Sequence, residues 1–317
     1  MNEHIKYRIL FVFLAVFPEF TLAGDIGTHE DVDFDSPEGW AMAYMTSSAL
    51  NLGQMPPRST NFGDLSISAE LTSIPRLERG QQQVGFGGFK DEELNKSPAF
   101  GRARANLGLF WELTAEISWT PPLKINGAEP DGLWGFALSR PLVERDNWGL
   151  GLRFYAIEGA VNADVTCSKS VADHPSFSPD NLFGCIAASD DVLEMDHEGA
   201  ELILSLTDLP LGIEPWISVA STRMDPFVKV DALLNGGPHF STIDSDGTTE
   251  TYSAGFSFSL GDSWHINVAT SYTPLNVDRP IRAGGRDSYW NLRLGLVWDL
   301  ELNKPFDEYI PKFKKLF

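Results

Sequence analysis

The chain is poor in cysteine, in positive charge and in long apolar runs. Its 317 residues contain 2 cysteines, and 24 lysines and arginines stand against 44 aspartates and glutamates, which gives a net charge of −20. This charge argues against nucleic-acid binding, which needs clustered cations. The one continuous apolar stretch, residues 9–17, is too short to cross a bilayer as a helix. A hydrophobic content of 43% nevertheless excludes a disordered chain.

The N-terminal residues have the layout of a secretory signal peptide. Lys6 and Arg8 precede the apolar run, Pro18 ends it, and small residues at positions 21 and 23 complete a cleavage site. We therefore expect residues 1–23 to be removed on export. The acidic stretch that follows is expected to be a flexible linker.

The two cysteines agree with export. Cys167 and Cys185 bracket 17 residues rich in aspartate, serine and proline. In an oxidising compartment they should pair, and closing such a loop stabilises the fold by roughly 3 kcal/mol in the chain-entropy model. A zinc site would need more ligands than His174 alone provides. The sequence therefore predicts a disulfide.

Apolar and polar residues alternate with a period of two along most of the chain. The clearest segments are 64–71, 102–109, 113–119, 254–260, 264–268 and 290–298. Such alternation is typical of strands with two unlike faces. The polar face is rich in glycine, serine and asparagine, whereas tryptophans stand near the ends of the apolar stripes, as the two interfaces of a bilayer select. The pattern indicates an enclosed polar lumen and a lipid-facing apolar surface.

The connections between strands are unequal. Short links near 73–76, 110–113, 143–147, 207–211 and 260–263 alternate with long ones near 88–101, 158–197, 223–248 and 275–287. We predict an all-β, closed antiparallel up-and-down transmembrane β-barrel of about twelve strands, with both termini on the short-turn side. The strands are 40–52, 61–72, 76–87, 102–110, 113–121, 132–142, 147–157, 199–207, 212–222, 249–260, 263–273 and 288–300. Ten strands is the alternative, because 40–52 and 76–87 are the weakest.

The sequence resembles the outer-membrane β-barrel proteins of Gram-negative bacteria. The resemblance rests on the cleavable signal, the alternating strands, the aromatic residues at the strand ends and the unequal loops. The resemblance covers residues 40–300 and matches a class rather than one functional family. It implies the cell outer membrane as location, the lipid bilayer as environment and the insertion machinery as a partner. Residues 24–39 would then be an acidic periplasmic linker and residues 301–317 a C-terminal periplasmic tail. That tail departs from the class, whose last strand often ends the chain on an aromatic residue.

Seven charged residues are expected to point into the lumen. They are Glu70, Arg102, Arg104, Glu116, Arg153, Glu201 and Arg293. Buried charges are costly unless they are paired. They form either a lattice of ion pairs that fills and stiffens a narrow barrel or a polar constriction that selects solutes.

Other chemistry is weakly indicated. His239, Ser241 and His265 are the starting points for a hydrolase, and none lies in a recognisable motif. The acidic run 190–198 could bind calcium, but solvated surface charge is the commoner meaning of such a run. We therefore predict no metal, no cofactor and no catalytic residue.

The leading hypothesis for function is a passive channel or transporter for small solutes, hydrophobic ones included. The alternative is a structural or surface-interaction barrel that contacts a partner through the disulfide-closed loop 158–197. A membrane-embedded hydrolase is the third. Nucleic acid is not an expected partner.

Overall fold

The computed structural model describes residues 27–300 except 208, 210, 211, 262 and 281. The predicted signal peptide, residues 1–23, and the predicted tail, residues 301–317, lie outside the described residues. In the described part of the chain no helix has the length and apolar character needed to cross a bilayer.

Eighteen strands and three helices follow one another in the described residues. The strands are β1 (Thr28–Asp31), β2 (Leu65–Ser73), β3 (Gln83–Val84), β4 (Lys90–Asp91), β5 (Ala99–Gly108), β6 (Thr114–Trp119), β7 (Glu129–Glu144), β8 (Trp148–Ala163), β9 (Asp191–Glu194), β10 (His197–Leu206), β11 (Ile213–Met224), β12 (Phe227–Leu234), β13 (Gly237–Asp244), β14 (Gly247–Ser259), β15 (Trp264–Thr273), β16 (Asn276–Arg279), β17 (Arg282–Arg286) and β18 (Tyr289–Leu300). The helices are α1 (Pro37–Ser48), α2 (Gly85–Gly88) and α3 (Lys169–Ala172).

Ten of the strands close a barrel. Their order around the wall is β2, β5, β6, β7, β8, β10, β11, β14, β15 and β18, and each lies antiparallel to its neighbours. β18 pairs with β2 from Arg293 opposite Thr72 to Leu300 opposite Leu65, which closes the ring. The closed antiparallel barrel is therefore confirmed with ten strands, and the count of twelve is wrong.

The two surplus predicted strands have other structures. Residues 40–52 fall in helix α1 and in the segment after it, and residues 76–87 form a 3₁₀ turn, β3 and part of α2 outside the barrel. The helix begins where it does because the Ser36 hydroxyl accepts a hydrogen bond from the Gly39 N–H at 3.0 Å, with Pro37 at the first turn. These start signals prevail over the weak alternation of residues 40–52.

The wall of the barrel is apolar outside and polar inside. In β18, Leu292, Leu294 and Leu296 are 56%, 50% and 43% exposed, whereas the alternate residues Asn291 and Arg293 are buried. The predicted assignment of the two faces is confirmed, since the burial pattern of the other wall strands alternates in the same way. This is the reverse of a water-soluble domain, whose apolar side chains are inside.

Aromatic pairs stand at both ends of the outer face. Trp119 and Trp134 lie with ring centroids 6.1 Å apart near one end, and Trp264 and Trp298 stack at 5.3 Å near the other. Residues 109–113, 145–147, 207–212 and 260–263 connect strands at what we call the short-turn end. Residues 74–98, 120–128, 164–196, 225–246 and 274–288 connect them at the loop end.

A small sheet extends the wall beyond the loop end. β9 pairs with the last residues of β8, then β12, β13 and β1 follow in order, with β1 parallel to β13. Residues 27–39, predicted as a linker on the short-turn side, therefore lie at the opposite end, because β1 pairs with the open edge of β13. The predicted disulfide between Cys167 and Cys185 is confirmed and packs against Val230 of β12.

Candidate functional site

Helix α1 occupies the mouth of the barrel at the loop end. Trp40 and Tyr44 are fully enclosed, and their cluster includes Tyr289 of β18 and Tyr155 of β8, which lie on different sides of the wall. The Trp40 indole N–H donates to the Asp287 carbonyl at 2.9 Å. The ring of Tyr44 meets that of Tyr289 edge-on, with centroids 5.1 Å apart. The helix is therefore fixed to the wall by aromatic contacts.

The chain then passes through the lumen. Residues 49–60, which we call the lumen segment, run from the end of α1 to the short-turn end. There the hydroxyl of Thr60 lies 3.0 Å from that of Thr114, at the start of β6. Arg58 pairs with Glu214 of β11 at the same end. The lumen segment belongs to no strand of the described chain.

All seven predicted inward charges lie inside the barrel and form one network. Arg104 is central, with contacts of 2.8 Å to Glu70 and 2.9 Å to Glu116. Arg153 lies 2.7 Å from Glu116 and 3.9 Å from Glu201. Strand register explains the grouping, since Glu201 stands directly opposite Arg153 in the ladder between β10 and β8. Arg102 and Arg293 join this network through the contacts of Arg102 with Glu70 and of Arg293 with the lumen segment.

The four guanidinium groups outnumber the three carboxylates, and the lumen segment accepts the surplus hydrogen bonds. Arg102 lies 4.0 Å from Glu70 but donates to the carbonyls of Ala49 and Leu50 and, at 2.9 Å, to the amide oxygen of Asn51. The carbonyls at the end of α1 have no partner within the helix and carry the negative end of its dipole. A positive side chain is therefore well placed there.

Two more arginines and one glutamate form hydrogen bonds with the backbone of residues 51–53. Arg153 donates to the carbonyl of Asn51, and Arg293 donates to that of Gly53 at 3.0 Å. The Gly53 N–H donates in turn to Glu201 at 2.7 Å. Because four different wall strands supply these side chains, they surround residues 49–53 and hold the backbone from several sides. We call Arg102, Arg153, Glu201 and Arg293 the clamp.

Glycines of the inner wall leave the room that the lumen segment occupies. A Cβ atom placed on Gly151 would lie 2.6 Å from Cδ of Pro57, and one on Gly295 would lie 3.2 Å from the Gln54 side-chain nitrogen. The glycine-rich inner face, predicted as lumen lining, therefore has a further role. Any larger side chain at Gly151 would displace Pro57.

Sequence reasoning missed helix α1 and the lumen segment because it took residues 40–52 as a strand. The signal that could have revealed the helix is the series Ser36, Pro37, Glu38, which places a capping hydroxyl, a helix-compatible proline and an acid in the first turn. No comparable signal marks Asn51 or Gly53, whose roles depend on side chains from distant strands.

An apolar cavity of about 220 Å³ lies at the loop end, beside α1. Ala41, Met42 and Met45 of α1 form one wall, and Phe100, Val161 and Leu193 are among the residues of the others. We call it the loop-end cavity.

Charged side chains at the edge of this cavity are bound to protein partners. Lys90 lies 2.5 Å from Glu92, and Lys96 lies 2.8 Å from Asp164. Burial raises the pKa of Glu92 to about 7 in spite of Lys90, with Asp191 and Glu38 adding to the rise.

The carboxylate of Asp191 accepts hydrogen bonds from several residues of the surrounding loop. It accepts hydrogen bonds from the N–H groups of Val165 and Thr166, the latter at 2.7 Å, and from the Ser189 hydroxyl at 2.8 Å. Its position in the predicted acidic run is therefore explained by loop structure. In the same run Glu194 pairs with Lys229 at 2.7 Å. The described residues contain no group of three histidine, cysteine, aspartate or glutamate side chains placed to hold a metal ion.

The residues considered for a hydrolase lie apart. His239 and Ser241 are in β13 beyond the loop end, whereas His265 is in β15 at the short-turn end. One nitrogen of His265 lies 3.1 Å from the Ser259 hydroxyl and the other 2.9 Å from Asp299. Ser241 and His265 therefore lie at opposite ends of the barrel.

Comparison with known proteins shows a similarity of fold and does not identify a family or a function. No family model and no curated protein sequence matches the chain. Solved structures similar to it are outer-membrane β-barrels of Gram-negative bacteria. Ail, the attachment invasion locus protein of Yersinia pestis, is 10% identical over 76% of this chain and 100% of its own, with a TM-score of 0.30. The outer membrane protease OmpT of Escherichia coli is 12% identical over 75% and 94%, with a TM-score of 0.39. These values carry no argument about function, and the barrel assignment rests on the strand pairing.

Proposed function

We propose that this protein is an outer-membrane transporter for small solutes whose barrel is closed by the lumen segment. The exposed apolar belt and its aromatic ends fit a bilayer. The short-turn end would face the periplasm and the loop end the outside. The excess of acidic residues would disfavour anionic solutes at the entrance.

One observation carries this proposal. The lumen is filled by a separate segment that is held through side chains of the wall and shares no strand ladder with it. Such a segment can leave the lumen while the ring of ten strands stays intact, because no hydrogen bond of the strand ladder has to break. A barrel that served only as a scaffold could fill its lumen with wall side chains alone. We therefore infer that the clamp holds a gate.

A cysteine tether tests the gate directly. A Cβ atom on Gly151 would lie 3.0 Å from Cβ of Pro57, so Pro57→Cys with Gly151→Cys brings two thiols within reach of a disulfide. The oxidised double variant in planar bilayers should show no opening events in potassium chloride. Reduction should restore the events seen with the wild type.

Two controls accompany the tether. Pro57→Cys alone should conduct like the wild type, whereas Gly151→Cys alone should open more often, because its side chain displaces Pro57. The wild type under the same reductant controls for loss of the bond between Cys167 and Cys185. Equal conductance of the oxidised and reduced double variants would contradict a moving segment.

A surface-interaction role is the second candidate, since the disulfide-closed loop exposes Phe177, Leu182 and Ile186 at 66%, 66% and 49%. Exposed apolar groups of this kind mark contact sites in other proteins. This role predicts a wild type that is silent in bilayers and that captures a partner only while the loop is intact.

A further inference from the structure

We propose that the loop-end cavity binds the transported solute, and that this solute is a small, uncharged and largely apolar molecule of one or two rings. The link to transport rests on the proposed function above. The binding step itself stands on the cavity alone.

The volume of the cavity sets the size of the occupant. A cavity of roughly 150 Å³ with apolar walls suffices to bind benzene in a globular protein. The loop-end cavity measures about 220 Å³. It therefore has room for a ring compound somewhat larger than benzene. Met42 and Met45 supply a wall that adapts to shape, since methionine side chains are flexible and polarizable.

The charges around the cavity argue against an ionic occupant. Lys96 is bound to Asp164, and Glu92 is bound to Lys90. Glu38 accepts the Gly87 N–H. No lining cation of the described chain is left without an acid beside it, so an anion entering the cavity would lose its water for no compensating contact. A neutral molecule does not meet this cost.

One lining side chain offers a hydrogen bond. Thr120 is buried, and its hydroxyl finds no partner among the described residues. Rotation of the Thr120 side chain by about 120° about χ1 exchanges the positions of its hydroxyl and methyl groups, and so can turn the hydroxyl towards the cavity. An occupant with a single hydroxyl or carbonyl would satisfy it there. A polar group left buried without a partner is costly, and a bonded occupant removes that cost.

The cavity opens beside the aromatic end of the wall. Leu123 and Ile125 line it and are themselves exposed, so the opening lies at the connection 120–128. Trp119 directly precedes this connection, and Trp134 stands opposite Trp119 in the ladder between β6 and β7. An apolar solute concentrated at the membrane interface would reach the cavity there. Inside, it would contact α1, which is followed directly by the Ala49 and Leu50 carbonyls that Arg102 of the clamp holds.

Equilibrium dialysis of the full barrel in lipid nanodiscs tests the site, with empty nanodiscs to subtract partition into lipid. The probes are naphthalene, 2-naphthol and 2-naphthalenesulfonate. The wild type should bind the first two saturably and the sulfonate at least tenfold more weakly. Ala128→Trp, which fills the mouth, should weaken both neutral probes at least tenfold. Thr120→Val should weaken 2-naphthol by about three- to tenfold and leave naphthalene unchanged.

Matched controls use exposed positions of the wall. Ala103→Trp and Thr248→Val should bind all probes like the wild type, since both residues face outward. If Ala128→Trp does not fold, Val161→Phe fills the same cavity from β8. Wild-type affinity in the cavity-filling variant, or equal binding of the sulfonate, would overturn the assignment.

Uptake of 2-naphthol into proteoliposomes separates the two proposals. Binding without uptake contradicts the transporter and leaves the cavity site intact. Uptake that Ala128→Trp leaves unchanged contradicts the role of the cavity in transport and leaves the transporter intact.

Discussion

Arg102 of the wall and Asn51 of the lumen segment are joined by a hydrogen bond of 2.9 Å between Nη1 and the side-chain Oδ1. The same guanidinium also reaches the carbonyls of Ala49 and Leu50. One wall side chain thus holds the point at which helix α1 ends and the lumen segment begins. Because this segment belongs to no strand, its place depends on such contacts.

Arg102→Ala should loosen the lumen segment. The change leaves backbone carbonyls without donors and Glu70 with one positive neighbour fewer, and removing one partner of a buried charge pair costs about 3–5 kcal/mol. We expect frequent openings in planar bilayers. With Asn51→Cys added, we also expect faster labelling of that thiol by a water-soluble maleimide.

The matched control is Arg140→Ala. Arg140 is exposed and lies 4.0 Å from Glu112, so its removal should change neither labelling nor conductance. Equal labelling in the Arg102 variant and the control would show that the clamp does not hold the segment.

The strands could be predicted because their pattern is local. In β18, Leu292, Leu294 and Leu296 alternate with polar residues, and this alternation fixes both the strand and its outward face. The inward position of Arg102 follows from the same logic. Its partners could not be predicted, because the contact with Asn51 joins positions 51 residues apart through the closure of the barrel. Nothing local marks residues 49–53 as lumen filling.

Opening the disulfide should affect the loop and leave the barrel unchanged. Cys167→Ser with Cys185→Ser removes a closure that stabilises by about 3 kcal/mol, and both cysteines pack on β12, outside the wall. Trypsin should then cut faster at the exposed Lys169, while the temperature at which the barrel unfolds on gels stays the same. An equal loss of barrel stability would mean that the loop supports the wall.

Glu92 should make stability depend on pH. Its pKa is raised to about 7 in the folded chain from 4.5, so between those values the folded state keeps a proton that the unfolded state loses. The free energy of unfolding should therefore fall as pH rises from about 4.5 to 7, by up to roughly 3 kcal/mol. Glu92→Gln should flatten this slope in urea titrations at pH 5, 6 and 7. Glu93→Gln, one residue away, should keep it; a wild type without the slope would contradict the prediction.

The orientation of the wall predicts a cost that depends on depth. Leu294 lies at the middle of β18 and is half exposed on the outer face, so Leu294→Arg would place a charge near the bilayer midplane. Such a charge costs about 2–4 kcal/mol, against roughly 0–1 kcal/mol near the interface. Thr248→Arg at the loop-end start of β14, also facing outward, is the matched control. Urea titrations of folding into phospholipid vesicles should show the difference. An equal cost at both positions would mean that the outer face contacts water or another protein layer, because only hydrocarbon penalises charge more steeply towards its centre.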